Sequence, residues 1–334
     1  MTNDPGDSLV ARLFAKLADG EFHSGEALAA ELAVSRSAVW KAAKALRDLG
    51  ATVHAVRNRG YRLPATGEPL DGDRIRGLLT QVALQRVRRL DTIWTAGSTN
   101  TLLLERATPP VGSGDALLAE YQTAGRGRRG RAWVAPPGGS ICLSFSWLFG
   151  EVLRDLGALG LVMGVCALEA LNRLGVGGVK LKWPNDLLID DRKLGGILIE
   201  LRAESGGPAF VVIGIGLNVA LGAALLEKIG MLGLAPIDLA NAGLRGVSRN
   251  GVAAELISAF VAGLLDFERG GLKPFVQKWM AADALHGRPV TVSAAEVATK
   301  GIARGIDLDG ALLVETPQGL QRFITGDVSV RADS

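Results

Sequence analysis

The chain has 334 residues, 48% of them hydrophobic, enough for a large core and more than one domain. Its 37 Lys and Arg against 34 Asp and Glu leave a net charge of +3, too small to select or exclude a class of partner. Only two cysteines occur, Cys142 and Cys166, both in apolar runs. That excludes a disulfide framework and predicts buried thiols in a reducing compartment. Met1-Thr2-Asn3-Asp4-Pro5 lacks the basic and apolar regions of a secretory signal, and the apolar run Leu156–Leu168 is too short to span a bilayer. The expectation is a cytoplasmic protein with no membrane partner.

In chain order, Ser8–Ala18 reads as a short helix. Ser24 caps a second helix over Gly25–Leu32, and Ser35 a third over Arg36–Leu49, with Gly50 as the stop. Along the third helix Val39, Ala43, Leu46 and Leu49 form one apolar stripe, leaving Arg36, Ser37, Trp40, Lys41 and Lys44 towards the other face. Thr52–Val56 and Tyr61–Leu63 flank the turn Arg57-Asn58-Arg59-Gly60, a hairpin with a basic tip. Between Arg36 and Arg62 stand seven basic residues and one acid, Asp48. This pattern predicts a winged helix-turn-helix that meets DNA through Arg36, Ser37, Trp40, Lys41 and Lys44 on the recognition helix and Arg57 and Arg59 on the wing.

Pro64-Ala65-Thr66-Gly67-Glu68-Pro69 reads as a linker. Beyond it, Ala116–Tyr121, Ile141–Trp147, Val179–Lys182, Gly195–Leu201 and Phe210–Gly216 are β-rich, while Leu156–Leu174 and Val252–Phe267 are helical. Strands following one another through short turns predict an α+β unit, a mixed sheet with helices on one face. Leu221–Asn250 reads as loop. Alternation in Pro289–Val292 and Leu312–Val314, with turns at Asp309-Gly310 and Gln318-Gly319, predicts a small β-barrel at the C-terminus.

The middle segment holds the unusual clusters. Gly97-Ser98-Thr99-Asn100 precedes a helical stretch, so Ser98 or Thr99 serves either as a helix cap or as part of a polar ligand site. Gly125-Arg126-Gly127-Arg128-Arg129-Gly130-Arg131 interleaves four guanidiniums with three glycines. It matches G-x-G-x-x-G formally, but Trp133-Val134-Ala135-Pro136-Pro137 follows where a dinucleotide fold needs a helix. An anion-binding loop, disordered when empty, is the better expectation than a solvated basic turn. Lys182-Trp183-Pro184-Asn185-Asp186 joins a lysine to the Asn-Asp pair that a nucleotide–magnesium site could use. Arg192-Lys193 opens a glycine-bearing strand, and Gly214-Ile215-Gly216-Leu217-Asn218 closes another. The histidines, His23, His54 and His286, lie outside every cluster, and the metal, P-loop and G-x-S-x-G spacings are missing. Such an inventory suits attack of a carboxylate on the α-phosphate of ATP, where fixed cations and positioning carry the chemistry.

With these motifs the chain resembles the bifunctional biotin protein ligases that double as biotin operon repressors. Gly97–Asn100, Gln122–Arg131, Lys182–Leu187, Arg192–Ile197, Gly214–Asn218 and Arg304-Gly305-Ile306-Asp307 carry the likeness, together with Ser24-Gly25-Glu26, Ser35-Arg36 and Arg59-Gly60-Tyr61. The resemblance implies a winged helix-turn-helix over residues 1–64, a linker over 65–72, a class II synthetase-like catalytic domain over 73–283 and an SH3-like barrel over 284–334. It further implies that biotin and MgATP give biotinyl-5′-adenylate, whose acyl group passes to a lysine of the biotin carboxyl carrier protein. By motif, Ser98, Thr99, Asn100, Gln122, Arg126, Gly127, Arg128 and Lys193 would surround biotin. Arg128, Arg131, Trp133, Asn185 and Asn218 would serve ATP, with Trp133 stacked on adenine and Asp186 on Mg²⁺. Lys193, Arg128 and Asp186 would be catalytic. Operator DNA, and a homodimer promoted by biotinyl-adenylate, are the remaining implied partners. The competing expectations are a lipoate–protein ligase, a class that does not usually carry the N-terminal unit, and a ligand-binding transcription factor without ligase activity.

Overall fold

A computed structural model of the chain describes residues 8–64, 68–203, 207–231, 235–244, 246, 248–294, 297–324 and 328–332. The signal-sequence reading of Met1–Pro5 and the middle of the linker lie outside these.

Helices α1 (Leu9–Leu17), α2 (Gly25–Glu31) and α3 (Arg36–Asp48) each begin where the sequence places a serine. Ser8, Ser24 and Ser35 Oγ accept the amides of Ala11, Ala27 and Ala38 at 3.2, 3.0 and 3.2 Å, satisfying donors that a helix N-terminus leaves unpaired. Strands β1 (His54–Val56) and β2 (Gly60–Arg62) form the antiparallel wing, with Asn58 in the left-handed region at φ 64°. The stripe of α3 is buried at Val39, Ala42, Ala43 and Leu46 against Leu13, Phe14 and Leu28.

That small core is not closed by the N-terminal unit alone. Trp94, from the domain beyond the linker, completes it. Phe14 and Trp94 lie 5.4 Å apart, and Trp94 and Tyr121 5.5 Å apart, ring to ring. The far end of the linker is also pinned. Arg249 donates to Glu68 O at 2.7 Å, and Asn250 Nδ2 to Pro69 O at 3.0 Å.

The central domain is a seven-stranded sheet in the order β3-β4-β5-β9-β8-β7-β6. Its strands are β3 (Val87–Ala96), β4 (Gly114–Gln122), β5 (Ser140–Phe149), β6 (Lys180–Lys182), β7 (Asp186–Ile189), β8 (Arg192–Ala203) and β9 (Ala209–Asn218). β3 and β4 are parallel and the other pairings antiparallel, so the sheet is mixed as expected. Helices α4 (Gly72–Gly77), α5 (Gln81–Arg86), α7 (Leu159–Arg173) and α9 (Arg249–Gly270) share one core with one face of the sheet. α9 and, against expectation, Leu156–Arg173 are long and apolar enough to cross a membrane, but 72% and 61% of their 18-residue apolar windows are buried inside the protein.

Two expectations need correction. Helices do not occupy one face only: α6 (Thr99–Leu104) lies on the other, where Leu103 packs with Leu117, Phe210 and Val212. Leu221–Asn250 is not all loop, because α8 (Ala223–Gly230) forms within it and α9 begins at Arg249. α8 buries none of its side chains, and its apolar residues Leu225, Leu226 and Ile229 span barely one turn, too short a run to show a helical period.

Helix α10 (Val276–Ala282) leads to five antiparallel strands, β10 (Pro289–Ala294), β11 (Val297–Ile306), β12 (Leu312–Thr316), β13 (Gly319–Phe323) and β14 (Val328–Ala332), in the order β13-β12-β11-β10-β14. This is the expected small β domain. It touches the central one where the indole Nε1 of Trp183 donates to Gly310 O at 3.1 Å.

Candidate active site

The α6 face of the sheet carries the predicted ligand residues, because cross-strand partners share a face. One row runs Ala119–Cys142–Gly216–Gly196–Asp186 across β4, β5, β9, β8 and β7. The next runs Leu117–Ser144–Gly214–Leu198. Small side chains in mid-row leave a shallow floor. A Cβ on Gly214 would come 2.4 Å from Asn100 Oδ1, and one on Gly216 2.3 Å from the Trp133 ring. Neither approach is possible for any residue larger than glycine.

At one end of this floor, α6 presents Ser98, Thr99 and Asn100, all buried. Ser98 occupies the N-cap position yet its side chain caps nothing, which removes the helix-cap explanation of its hydroxyl. Thr99 gives its amide to Gln122 Oε1 at 2.8 Å, with its hydroxyl 3.1 Å from the same oxygen. Ser144 Oγ stands 2.7 Å from Thr99 Oγ1 and 2.6 Å from Asn100 Oδ1. Asn100 Nδ2 donates to Glu200 Oε2 at 2.8 Å. Ser144 and Glu200 were not among the predicted residues. Ser144 alternates with Leu143, Phe145 and Trp147 along β5, and Glu200 with Ile199 and Leu201 along β8, so the polar half of each alternation was the available signal.

The Gly125–Arg131 segment is a closed turn over this floor. Gly127 N donates to Arg131 O at 2.7 Å and Trp133 N to Gly125 O at 2.8 Å. Arg129 takes φ 58°, a left-handed conformation that costs a non-glycine residue ~1–2 kcal/mol. Arg126 reaches back to α6, donating to Thr101 Oγ1 at 2.7 Å, with Glu200 Oε1 3.4 Å away. Arg128 is half-buried in the single helical turn Arg128–Gly130, whereas Arg131 is exposed. Trp133 lies over Gly216, its Nε1 buried without a hydrogen-bond partner.

Lys193 reaches the same face through a β-bulge. β7 pairs Leu187 with Gly195 and then Leu188 with Lys193, skipping Leu194. Regular alternation from Gly196 would aim residue 193 at the core; the extra residue turns it to the site. Its ammonium lies 2.5 Å from Asp186 Oδ1 and 5.8 Å from the centre of the Trp133 ring. Burial holds the neighbouring Lys182 below its ordinary pKa, opposed by Asp186. Asn185 and Asn218 use their amide donors on backbone, Asn185 on Ile197 O at 2.7 Å and Asn218 on Ile237 O at 3.0 Å. Among the described residues no group of three or more His, Cys, Asp or Glu could cage a metal. A cation here would lean on Asp186 and on ligand oxygens, the way Mg²⁺ is commonly held beside phosphates. Cys142 and Cys166 are buried as expected, and burial pushes their thiols up to about 12.

In the N-terminal unit Arg36, Ser37, Trp40, Lys41 and Lys44 are exposed on α3, and Arg57 and Arg59 on the wing. Lys44 pairs with Asp48 at 2.7 Å. Arg59 and Arg62 lie against the Phe22 ring at 4.3 and 4.7 Å, which stiffens one side of the wing.

Sequence models of three families match: the biotin/lipoate A/B protein ligase family over residues 95–218, an HTH domain over 11–62 and the biotin protein ligase C-terminal domain over 285–331. The chain is 41% identical to the bifunctional ligase/repressor BirA of Salmonella typhimurium over 96% of its own length and 97% of the relative's. It is 33% identical to the biotin–acetyl-CoA-carboxylase ligase of Paracoccus denitrificans over 69% and 96%. Among solved structures it resembles a biotin protein ligase from Aquifex aeolicus in complex with biotin and ATP, with TM-score 0.64 and 28% identity, covering 74% of this chain and all of that one.

Proposed function

This chain belongs to the biotin protein ligase family, and we propose that it activates biotin with ATP and passes it to a carrier lysine. Biotin's carboxylate oxygen attacks the α-phosphorus, the bond to the β-phosphate bridging oxygen breaks, and pyrophosphate leaves. The carrier amine then attacks the acyl carbon of biotinyl-5′-adenylate, loses a proton and expels AMP. The reading rests chiefly on one arrangement: a neutral hydrogen-bonding cluster on α6 and a lysine–aspartate pair share one glycine-floored face beneath an arginine turn.

In this reading Ser98, Thr99, Asn100 and Gln122 take the ureido ring, and Arg126, Gly127 and Arg128 close over it. Lys193 lies against the carboxylate and then the adenylate oxygens. Arg128, Arg131, Asn185 and Asn218 serve ATP, with Trp133 on the adenine. Asp186 would hold Mg²⁺, which offsets phosphate charge when bound. Labelled biotin incubated with ATP and a carboxyl carrier domain should leave label on the carrier lysine; an unlabelled carrier would reject the activity. Gly216→Ala should push the Trp133 ring off the floor. Its expected result is an ATP KM raised about tenfold or more with biotin affinity nearly unchanged, read by calorimetry and initial rates.

The helix-turn-helix unit supports an operator-binding repressor, working in the cytoplasm. A chain shortened to begin just before Glu68 should still make the adenylate, because every ligand residue named above follows Gly97. It should bind no operator and should melt earlier, since Trp94 loses Phe14. The intact protein should lose operator affinity steeply with salt as Arg36, Lys41, Lys44, Arg57 and Arg59 displace counterions; a flat response would sink that surface. One such unit reads a half-site, so a two-fold dimer promoted by biotinyl-adenylate completes the reading. Sedimentation with and without the adenylate tests it: a coupling of ~1–3 kcal/mol should move the dimer constant 5- to 150-fold, and an unmoved constant removes the regulatory half alone.

A further inference from the structure

We infer that Glu200 is a positioning residue that sets the hydrogen-bond polarity of the α6 cluster and thereby selects an acyl head group that donates N–H. The inference rests on the biotin reading above and deepens it. An ionised carboxylate accepts hydrogen bonds and donates none. Glu200 Oε2 therefore fixes which end of the Asn100 amide faces it, and Leu198 O, 3.4 Å from the same Nδ2, agrees. Asn100 Oδ1 is left pointing at Ser144 and can only accept.

The remaining cluster is one hydrogen short. Three oxygen–oxygen contacts, Ser144–Asn100, Ser144–Thr99 and Thr99–Gln122, run at 2.6, 2.7 and 3.1 Å. Two hydroxyl hydrogens serve them, one on Ser144 and one on Thr99. Gln122 Oε1, which already holds the Thr99 amide hydrogen, can only accept as well. Whichever way the hydroxyls turn, one oxygen faces another with no hydrogen between them. A ligand N–H satisfies that oxygen; a dithiolane or an alkyl chain does not. Among the described residues Glu200 is joined to the predicted ligand residues by its contacts with Asn100 and Arg126.

The test uses the full-length chain, with biotin and a biotin analogue alkylated on one ureido nitrogen as probes. Glu200→Gln lets the Asn100 amide turn over. It should weaken biotin binding about tenfold or more, shrink the preference for biotin over the alkylated analogue, and leave the ATP KM within about twofold. Asn100→Asp should weaken binding comparably, because two carboxylates then face each other. The double variant Asn100→Asp with Glu200→Gln restores the pattern in reverse, since the introduced glutamine amide donates to the introduced aspartate. It should recover much of the biotin affinity lost in either single variant. Additive losses in the double variant, or an unchanged preference in Glu200→Gln, would overturn the inference. A wild-type chain that does not ligate biotin would instead overturn the reading it rests on. A loss of biotin and ATP binding together would assign Glu200 to the fold alone.

Discussion

Lys193→Ala should slow formation of biotinyl-adenylate by about 10²–10³-fold, equivalent to ~2.7–4 kcal/mol of transition-state stabilisation. The lysine has two tasks at one place. It meets the charge that gathers where carboxylate and α-phosphate come together, and it neutralises Asp186, 2.5 Å away. Removing it takes a cation from beside Asp186 as well as from the reacting oxygens, so the loss exceeds that of one contact. Lys193→Arg should recover little, because a flat fork does not replace a compact ammonium between Asp186 and Trp133. Pyrophosphate exchange and a single-turnover assay measure the step, with the melting curve as control for folding. A normal exchange rate in Lys193→Ala would reject the catalytic assignment.

Arg249→Ala should be the most damaging change to stability, about 3–5 kcal/mol in urea unfolding. Its guanidinium is wholly buried, 2.9 Å from Glu120 Oε2, and it also donates to Ser140 O at 2.8 Å and Glu68 O at 2.7 Å. Alanine leaves the Glu120 carboxylate buried beside two carbonyls that lose their donor. An apolar pair, Arg249→Met with Glu120→Leu, should cost much less than the single change, because no charge is then stranded. A loss below about 1 kcal/mol for Arg249→Ala would mean that water replaces the guanidinium. The pair also holds Ser140, the first residue of β5, and so the base of the segment leading from Trp133 to the site floor.

The N-terminal helix-turn-helix unit was legible because its signals are local. Ser8, Ser24 and Ser35 announce their helices by side-chain chemistry, and Arg57–Gly60 announces its turn. The long buried strands were legible from their apolar runs. β3 was not, since Arg88, Arg89 and Asp91 break its alternation at a half-exposed sheet edge. α6 was read only as a helical stretch, with no hint that it takes the opposite face, because a six-residue helix carries too little periodicity to show what it packs on. Most site residues were legible as motifs, but their connections were not. Glu200 stands 100 residues from Asn100 in the chain, and no spacing rule joins them. The bulge that turns Lys193 to the site is likewise a property of strand pairing, absent from the residues themselves.

Phe14 packs on Trp94, which meets Tyr121 edge-on, and Glu68 and Pro69 are held by Arg249 and Asn250, so the unit that carries the DNA-reading helix is tied to the catalytic domain at two places. In a symmetric pair of such chains, the distance between the two reading helices becomes a dimension of the enzyme bodies. Angular phase along the duplex is then fixed as well. Five extra base pairs at the centre of an operator turn one half-site about half a helical turn away, and a rigid pair cannot follow.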